Sequence, residues 1–235
     1  MSGDRPAMPF VLMYHSVAGR TDDPHLVTVS PPRFDEQMRW LARRGLRGVS
    51  MRDLLAGGPA SGMVGLTFDD GYADFAAGVV PVLQRYGFNA TVFVVAGRLG
   101  GHNDWEYHGP VKPLMTASQV REVAGAGMEV GSHGLNHLSL SRATVGVLAD
   151  ETRRSREILE SLTGAPVTGF SYPYGHVSCS ATDAVEGAGY DYAVATWASA
   201  RRDRRALPRT YVGDQDGSSR LLVKWIRHRF TWGRP

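Results

Sequence analysis

Two features of this sequence have residue types and spacings suited to chemistry. Asp69 and Asp70 stand together ahead of Gly71, at the end of the apolar run VGLTF, and packing gives no reason for adjacent carboxylates there. Neighbouring residues leaving a strand point in different directions, so one can hold a cation while the other faces a substrate. The alternative is that one aspartate caps a helix beginning near Ala73. His133 and His137 are four residues apart, a spacing that brings two imidazoles to one side of a helical turn; the alternative is two solvated surface histidines. Gly131 and Gly134 mark a tight exit loop around the first of them. One Asp with two His makes a three-ligand set that leaves a position for water, as catalytic Zn²⁺ sites require. Ligand type alone admits iron as well.

These residues need a scaffold that brings them together. Short apolar runs alternate with helix-period segments along the chain. Strands are expected at Phe10–Tyr14, Arg47–Val49, Val64–Phe68, Thr91–Val95, Met128–Gly131, Thr168–Ser171, Tyr192–Thr196 and Leu207–Tyr211. Helices are expected from Pro31 to Gly45, from Asp74 to Tyr86, after a Thr116–Gln119 capping box, over Ala143–Leu162 and over Ala181–Ala188. Strand alternating with helix argues for an α/β fold with a parallel sheet, here an irregular (β/α) barrel of seven to eight parallel strands in a single domain. His15, Asp69, Asp70, His133, Pro173, Tyr174, Trp197 and Arg209 all fall at or just after strand ends. In such a barrel these ends share one face, where active sites form. Gly97–Pro113, with Trp105 and His108, is the one long loop. Trp105, Pro173 and Trp197 are the candidates for lining a substrate cleft, although core packing explains Trp197 equally well.

Composition narrows the function further. The 235 residues are 43% hydrophobic and 21% charged, ordinary globular values that exclude disorder or a collagen-like chain. Cys179 is the single cysteine, so no internal disulfide forms. Of the 26 basic residues all but Lys112 and Lys224 are arginine, yet the net charge is only +3, which does not call for nucleic acid. No apolar run approaches the ~20 residues of a membrane span. Phe10–Tyr14 is shorter than the ~7–15 residues of a signal-peptide core, so a cytoplasmic location is expected. Residues 1–8 are expected to be a flexible lead-in, and 9–235 the barrel with a C-terminal helix. The run Arg201–Arg205 reads as a solvated loop. The basic amphipathic segment Arg220–Arg229 reads as a terminal helix packed on the barrel, with membrane-surface contact the alternative.

The ordered set Thr67-Phe-Asp-Asp-Gly-Tyr72, Ser132-His-Gly-Leu-Asn-His137 and Tyr172-Pro-Tyr-Gly175, with Met13-Tyr-His15 before it and Leu207-Pro-Arg209 after it, resembles the polysaccharide deacetylase (NodB-homology) family of metal-dependent carbohydrate esterases. The resemblance implies that Asp70, His133 and His137 hold one divalent metal, Zn²⁺ first, with Co²⁺, Ni²⁺ or Fe²⁺ as alternatives. It implies that Asp69 is the base that activates the attacking water, and that the Tyr174 backbone N–H is an oxyanion donor. The sequence departs from the family pattern in three places. Gly134 stands where many members have Ser or Thr, no arginine shortly precedes Pro173, and LPRTYV carries no late histidine. Arg209 is therefore expected to orient Asp69. His15 is expected to act as the general acid, as in one branch of the family, with His228 the weaker candidate. The function implied is removal of an N-acyl group, most directly acetyl, from an amino sugar or its polymer. The alternatives are an amidase acting on a small biosynthetic amide and an inactive sugar-binding barrel.

Overall fold

The computed structural model describes residues 8–19, 23–57, 62–201 and 203–232. Of the expected flexible lead-in, 1–7 lie outside the described residues. Met8 is buried, and its N–H donates to the Trp232 carbonyl at 2.9 Å. Arg202 of the basic run is also outside them; Arg201 is exposed, as a solvated loop requires.

Chain order begins with β1 (Val11–Tyr14), a two-residue parallel pair β2 (Ser16–Val17) and β3 (Thr28–Val29), helix α1 (Pro31–Arg43), β4 (Arg47–Val49) and α2 (Met51–Gly57). Next come β5 (Met63–Phe68), a π-helical turn Phe75–Val79 running into α3 (Val80–Arg85), β6 (Thr91–Val94), α4 (Ala117–Gly125) and β7 (Glu129–Ser132). Then α5 (Val145–Ala149) passes through a π-helical turn, Asp150–Arg154, into α6 (Ser155–Thr163). The chain finishes with β8 (Gly169–Ser171), α7 (Cys179–Gly187), β9 (Tyr192–Thr196), β10 (Leu207–Tyr211) and α8 (Ser218–Thr231). Seven parallel strands close in the order β1-β10-β9-β8-β7-β6-β5, with β5 returning to β1. The register Val11↔Gly65 to Tyr14↔Phe68 seals the closure, and β4 is an eighth strand on the N-terminal half of β5, Arg47↔Met63 to Val49↔Gly65.

The expected strands and the Thr116–Gln119 capping box are present. β7 starts one residue later than expected, because the Met128 N–H still closes the preceding helix on the Val123 carbonyl. The short helix α2 has no seven-residue apolar period of its own and depends on tertiary contacts. The Met51 N–H donates to Thr91 Oγ1 at 2.8 Å and the Arg52 N–H to Glu129 Oε2 at 2.8 Å. Helices α1 to α8 form the outer layer, and Leu221 and His228 are the buried residues of α8.

Alternate residues of each strand face the barrel interior. Where two bulky chains would meet there, one is glycine: a Cβ on Gly131 would lie 2.5 Å from the Phe93 ring, and one on Gly169 would lie 2.1 Å from the Tyr192 hydroxyl. Toward the N-terminal ends of the strands, buried Glu129 accepts from Thr91 Oγ1 at 2.6 Å and from the Tyr192 hydroxyl at 2.9 Å. Burial, reinforced by Glu129, holds the Tyr192 hydroxyl well above its ordinary pKa, so it remains a donor. Glu129→Ala would strand these donors and the first turn of α2. It is expected to cost about 3 kcal/mol, read from urea unfolding; a loss below about 0.5 kcal/mol would show that the network is dispensable.

Candidate metal centre and active site

Asp70, His133 and His137 converge where β5 and β7 end. Asp70 Oδ1 lies 3.3 Å from His133 Nε2 and 3.3 Å from His137 Nε2. One donor atom from each falls within 4.8 Å of the others, the one such cluster of three among the described residues, and all three side chains are buried. At His133 the second nitrogen explains the orientation. His133 Nδ1 lies 2.8 Å from the Ser171 carbonyl, a contact that needs N–H there and leaves Nε2 as a lone-pair donor. His137 is held by rings instead: Trp105 stacks on it at 4.3 Å, and Tyr174 meets it edge-on at 4.6 Å. Burial lowers the pKa of His137, whereas at His133 the charges of Asp69 and Asp70 outweigh burial and raise it. Burial opposes ionisation of Asp70 too, but both histidines hold it well below the usual carboxylate range. An anionic oxygen and two imidazole nitrogens, preoriented and shielded, fit a divalent metal.

Asp69 takes a different set of partners. Arg209 donates to it through Nη1 and Nη2, each at 2.7 Å, a bidentate pair in which Arg209 is only 1% exposed. The Ser171 hydroxyl donates to Asp69 Oδ1 at 3.2 Å and accepts from Arg209 Nη2 at 3.0 Å. Burial works against the charge, yet Arg209 and His133 hold the Asp69 carboxyl below its ordinary pKa. The arginine absent from the segment before Pro173 is thus supplied by β10.

The loop between the two histidines is braced from outside. Buried Glu151, in the π-helical turn between α5 and α6, accepts from the Leu135 and Asn136 backbone N–H groups at 2.8 and 3.0 Å and from Asn136 Nδ2 at 3.0 Å. Gly134 leaves room for this carboxylate: its φ is +80°, and a Cβ there would lie 2.7 Å from Glu151 Oε2. Its departure from the common Ser or Thr therefore accompanies a different brace. Neither Glu151 nor Ser171 was legible as a site residue. Glu151 lies fourteen positions beyond His137 within a helical pattern, and Ser171 reads as an ordinary strand residue.

The remaining candidates divide. His15 lines a cavity of about 500 Å³ together with Asp69, Asp70, His133, His137, Trp105 and Tyr174. Pro173 is buried in the turn before Tyr174 and does not line that cavity. Nor does Trp197: its ring packs on His228 and Trp232, with the Arg227 guanidinium 4.7 Å from its centroid, so it serves α8 and not the cleft. His228 is excluded as the acid by position. Its Nε2 lies 3.0 Å from the Met8 carbonyl, ahead of β1, at the end of the barrel opposite the site.

A closed parallel barrel with a ligand triad and an arginine-held carboxylate at the strand ends defines a barrel hydrolase. The sequence profile of the family described as polysaccharide deacetylase matches residues 56–193. YxkH of Bacillus subtilis, which carries the name of a polysaccharide deacetylase, is 30% identical over 198 residues, covering 82% of this chain. This chain spans 66% of the length of that protein. A poly-beta-1,6-N-acetyl-D-glucosamine N-deacetylase of Staphylococcus aureus is 22% identical over 214 residues, 84% of this chain and 72% of the relative. The structure of the Streptococcus pyogenes deacetylase PplD in complex with acetate superposes with a TM-score of 0.78 at 25% identity, covering 93% of this chain and 98% of that one. The chain belongs to the polysaccharide deacetylase family, hydrolases of the deacetylase type that act on non-peptide carbon–nitrogen bonds.

Two substitutions test the site's construction. Gly134→Ser is expected to destabilise the protein by about 2 kcal/mol and to weaken metal binding in a competition titration, because it displaces Glu151; unchanged affinity would reject the brace. Arg209→Met leaves Asp69 buried without its partner and is expected to cost about 3–5 kcal/mol near neutral pH. Asp69 has its pKa lowered in the folded wild type, so the stability it contributes is present above the unfolded carboxyl value and is lost as pH falls through the folded one. In Arg209→Met burial is left without its compensating cation and raises the Asp69 pKa, so the difference between wild type and variant should shrink as pH falls from neutral toward the lowered wild-type value, read in denaturant titrations across pH.

Proposed function

We propose that the chain removes N-acetyl groups from an N-acetylglucosamine polymer, with zinc as its metal. The observation that carries this reading is the buried Asp70–His133–His137 triad sharing one cavity with the Arg209-held carboxylate of Asp69. A metal held by the triad would lower the pKa of water and polarise the acyl carbonyl. Asp69, kept ionised by Arg209 and His133 and hydrogen-bonded by Ser171, takes a proton from the attacking water in this reading. The backbone N–H of Tyr174 donates to the developing oxyanion, a contact typically worth about 2.7–4 kcal/mol in acyl-transfer sites. His15, on the wall of the same cavity, delivers a proton to the leaving amine, and Trp105 offers a ring face beside His137 for the sugar. Tyr107 and Tyr174, 90% and 50% exposed, leave the rim open in a way that suits a polymer segment. The relative's named substrate, poly-beta-1,6-N-acetyl-D-glucosamine, is the first candidate.

Acetate release from a β-1,6-linked N-acetylglucosamine pentamer tests the proposal. Chelation should abolish release and one equivalent of Zn²⁺ should restore it. Asp69→Asn should lower turnover by about 10²–10⁴-fold with metal stoichiometry retained, and His15→Asn should lower it by about 10²-fold. Near-normal turnover in Asp69→Asn would reject its role as the base; release unaffected by chelation would reject the metal.

A further inference from the structure

Glu106 is the third carboxylate on the wall of the catalytic cavity, after Asp69 and Asp70, and the proposed reaction does not use it. It sits on the loop between β6 and α4, half-buried, and its position is fixed from behind. Oε2 accepts from Asn103 Nδ2 at 2.9 Å, and Oε1 accepts a long hydrogen bond from the Tyr72 hydroxyl at 3.4 Å. Asn103 is itself 3% exposed and clamped: Nδ2 donates to the Pro110 carbonyl at 3.1 Å, and Oδ1 accepts from the Lys112 N–H at 2.6 Å. Lys112 then ties the loop to the β2–β3 pair, donating to Ser16 Oγ at 2.8 Å and to Thr28 Oγ1.

Lys112 and His25, the latter on the same cavity wall, are the basic groups whose charge reaches this carboxylate, but neither forms an ion pair with it within 4.0 Å, whereas Asp69 has Arg209 and Asp70 has two histidines. Its two oxygens offer about four acceptor positions, of which two are filled. A preorganised anion with spare acceptor capacity, facing a substrate cavity, selects a cationic donor over a neutral one. Glu106 makes no hydrogen bond to the triad or to Asp69 and is held instead by Tyr72 and Asn103, which leaves it available to a substrate group beside the reacting acetamide. Beside it on the rim, the exposed Tyr107 ring can carry the face of a neighbouring sugar.

We propose that Glu106 binds the ammonium group of a glucosamine unit next to the N-acetyl unit undergoing cleavage, so that chains already partly de-N-acetylated are the preferred substrate. The proposal rests on the deacetylase reading above. An N-acetylated neighbour offers a single neutral N–H, whereas a free amine offers three charged donors, so each cleavage would create a ligand for the next.

The test compares a fully N-acetylated β-1,6-linked glucosamine pentamer with one carrying two free amines. Wild type should show a kcat/KM about tenfold higher on the second, equivalent to about 1.4 kcal/mol, and this ratio should fall as ionic strength rises. Glu106→Gln should bring the ratio close to one, and Glu106→Asp should retain part of it. A wild-type ratio near one, or a ratio preserved in Glu106→Gln, overturns the assignment. Calorimetric binding of the same two pentamers to zinc-loaded Asp69→Asn protein, with and without Glu106→Gln, reads Glu106 independently of turnover, and the wild-type salt dependence stands even where a variant fails to fold. No acetate release from either pentamer overturns the deacetylase reading, whereas equal affinity for the two pentamers overturns the role of Glu106.

Discussion

Arg209 lies inside the barrel with its guanidinium spanning from β10 to β5, and the geometry of the candidate site depends on that one side chain. Its carboxylate partner is Asp69, but its other donors reach Thr67 Oγ1 at 3.3 Å, Ser171 Oγ at 3.0 Å and the Ala195 carbonyl at 3.4 Å. One cation thus links β5, β8, β9 and β10. A buried ion pair is weak evidence for net stability, since desolvation of both ions opposes their attraction. Its value here is positional. The planar fork fixes both oxygens of Asp69, and a lysine would fix neither in the same way. Phe93 lies beneath, 5.7 Å from the guanidinium carbon, and Gly131 is what allows that ring to occupy the barrel centre.

Asp69 and Asp70 are adjacent yet belong to different machinery, and the backbone separates them. Asp69 continues the interior-facing alternation from Thr67. Asp70 adopts a left-handed conformation, φ 71°, which turns its carboxylate out of the strand and onto His133 and His137. Four non-glycine residues among those described have positive φ, and three of them, Asp70, His137 and Tyr174, surround this site. Such conformations cost about 1–3 kcal/mol each, so they persist only where neighbouring structure over-determines them. The supports are visible: Arg209 and Ser171 behind Asp69, Glu151 behind the histidine loop, and the 173–175 turn closed by the Gly175 N–H on the Tyr172 carbonyl at 2.8 Å.

The barrel strands were legible because most are short, largely apolar runs between turn signals, as strands covered on both faces read, and the charged residues they carry inside, Glu129 and Arg209, are paired there. The Asp–His–His triad was legible because metal ligands are restricted in type and spacing. What escaped is everything that acts across long sequence separations. Glu151 and Ser171 become site residues only once the fold puts a π-helical turn behind one loop and a strand end beside another. Trp197 misled for a related reason: a strand-end tryptophan has the right address for a cleft, but its ring follows the apolar contact with α8. Helix α2 escaped because its first turn is satisfied by Thr91 and Glu129, forty and seventy-seven residues away from the donors they accept.

The two lysines show the same logic in the charge distribution. Arginine supplies nearly all the positive charge, mostly on the outer surface, where exposed ion pairs contribute little. Lys112 and Lys224 are instead partly buried and each is committed: Lys112 to Ser16 and Thr28, Lys224 to the Tyr211 carbonyl at 2.7 Å and to Asp216. A compact ammonium on a flexible stem can satisfy several oxygens from different segments at once, which a planar guanidinium does less readily. At Lys112 the result is that β2, which follows His15 directly, and the loop carrying Trp105 and Glu106 are held by one nitrogen. The two walls of the cavity are therefore mechanically coupled, and the distance between the proposed acid on one side and the aromatic and acidic groups on the other is set by an interaction outside the site itself.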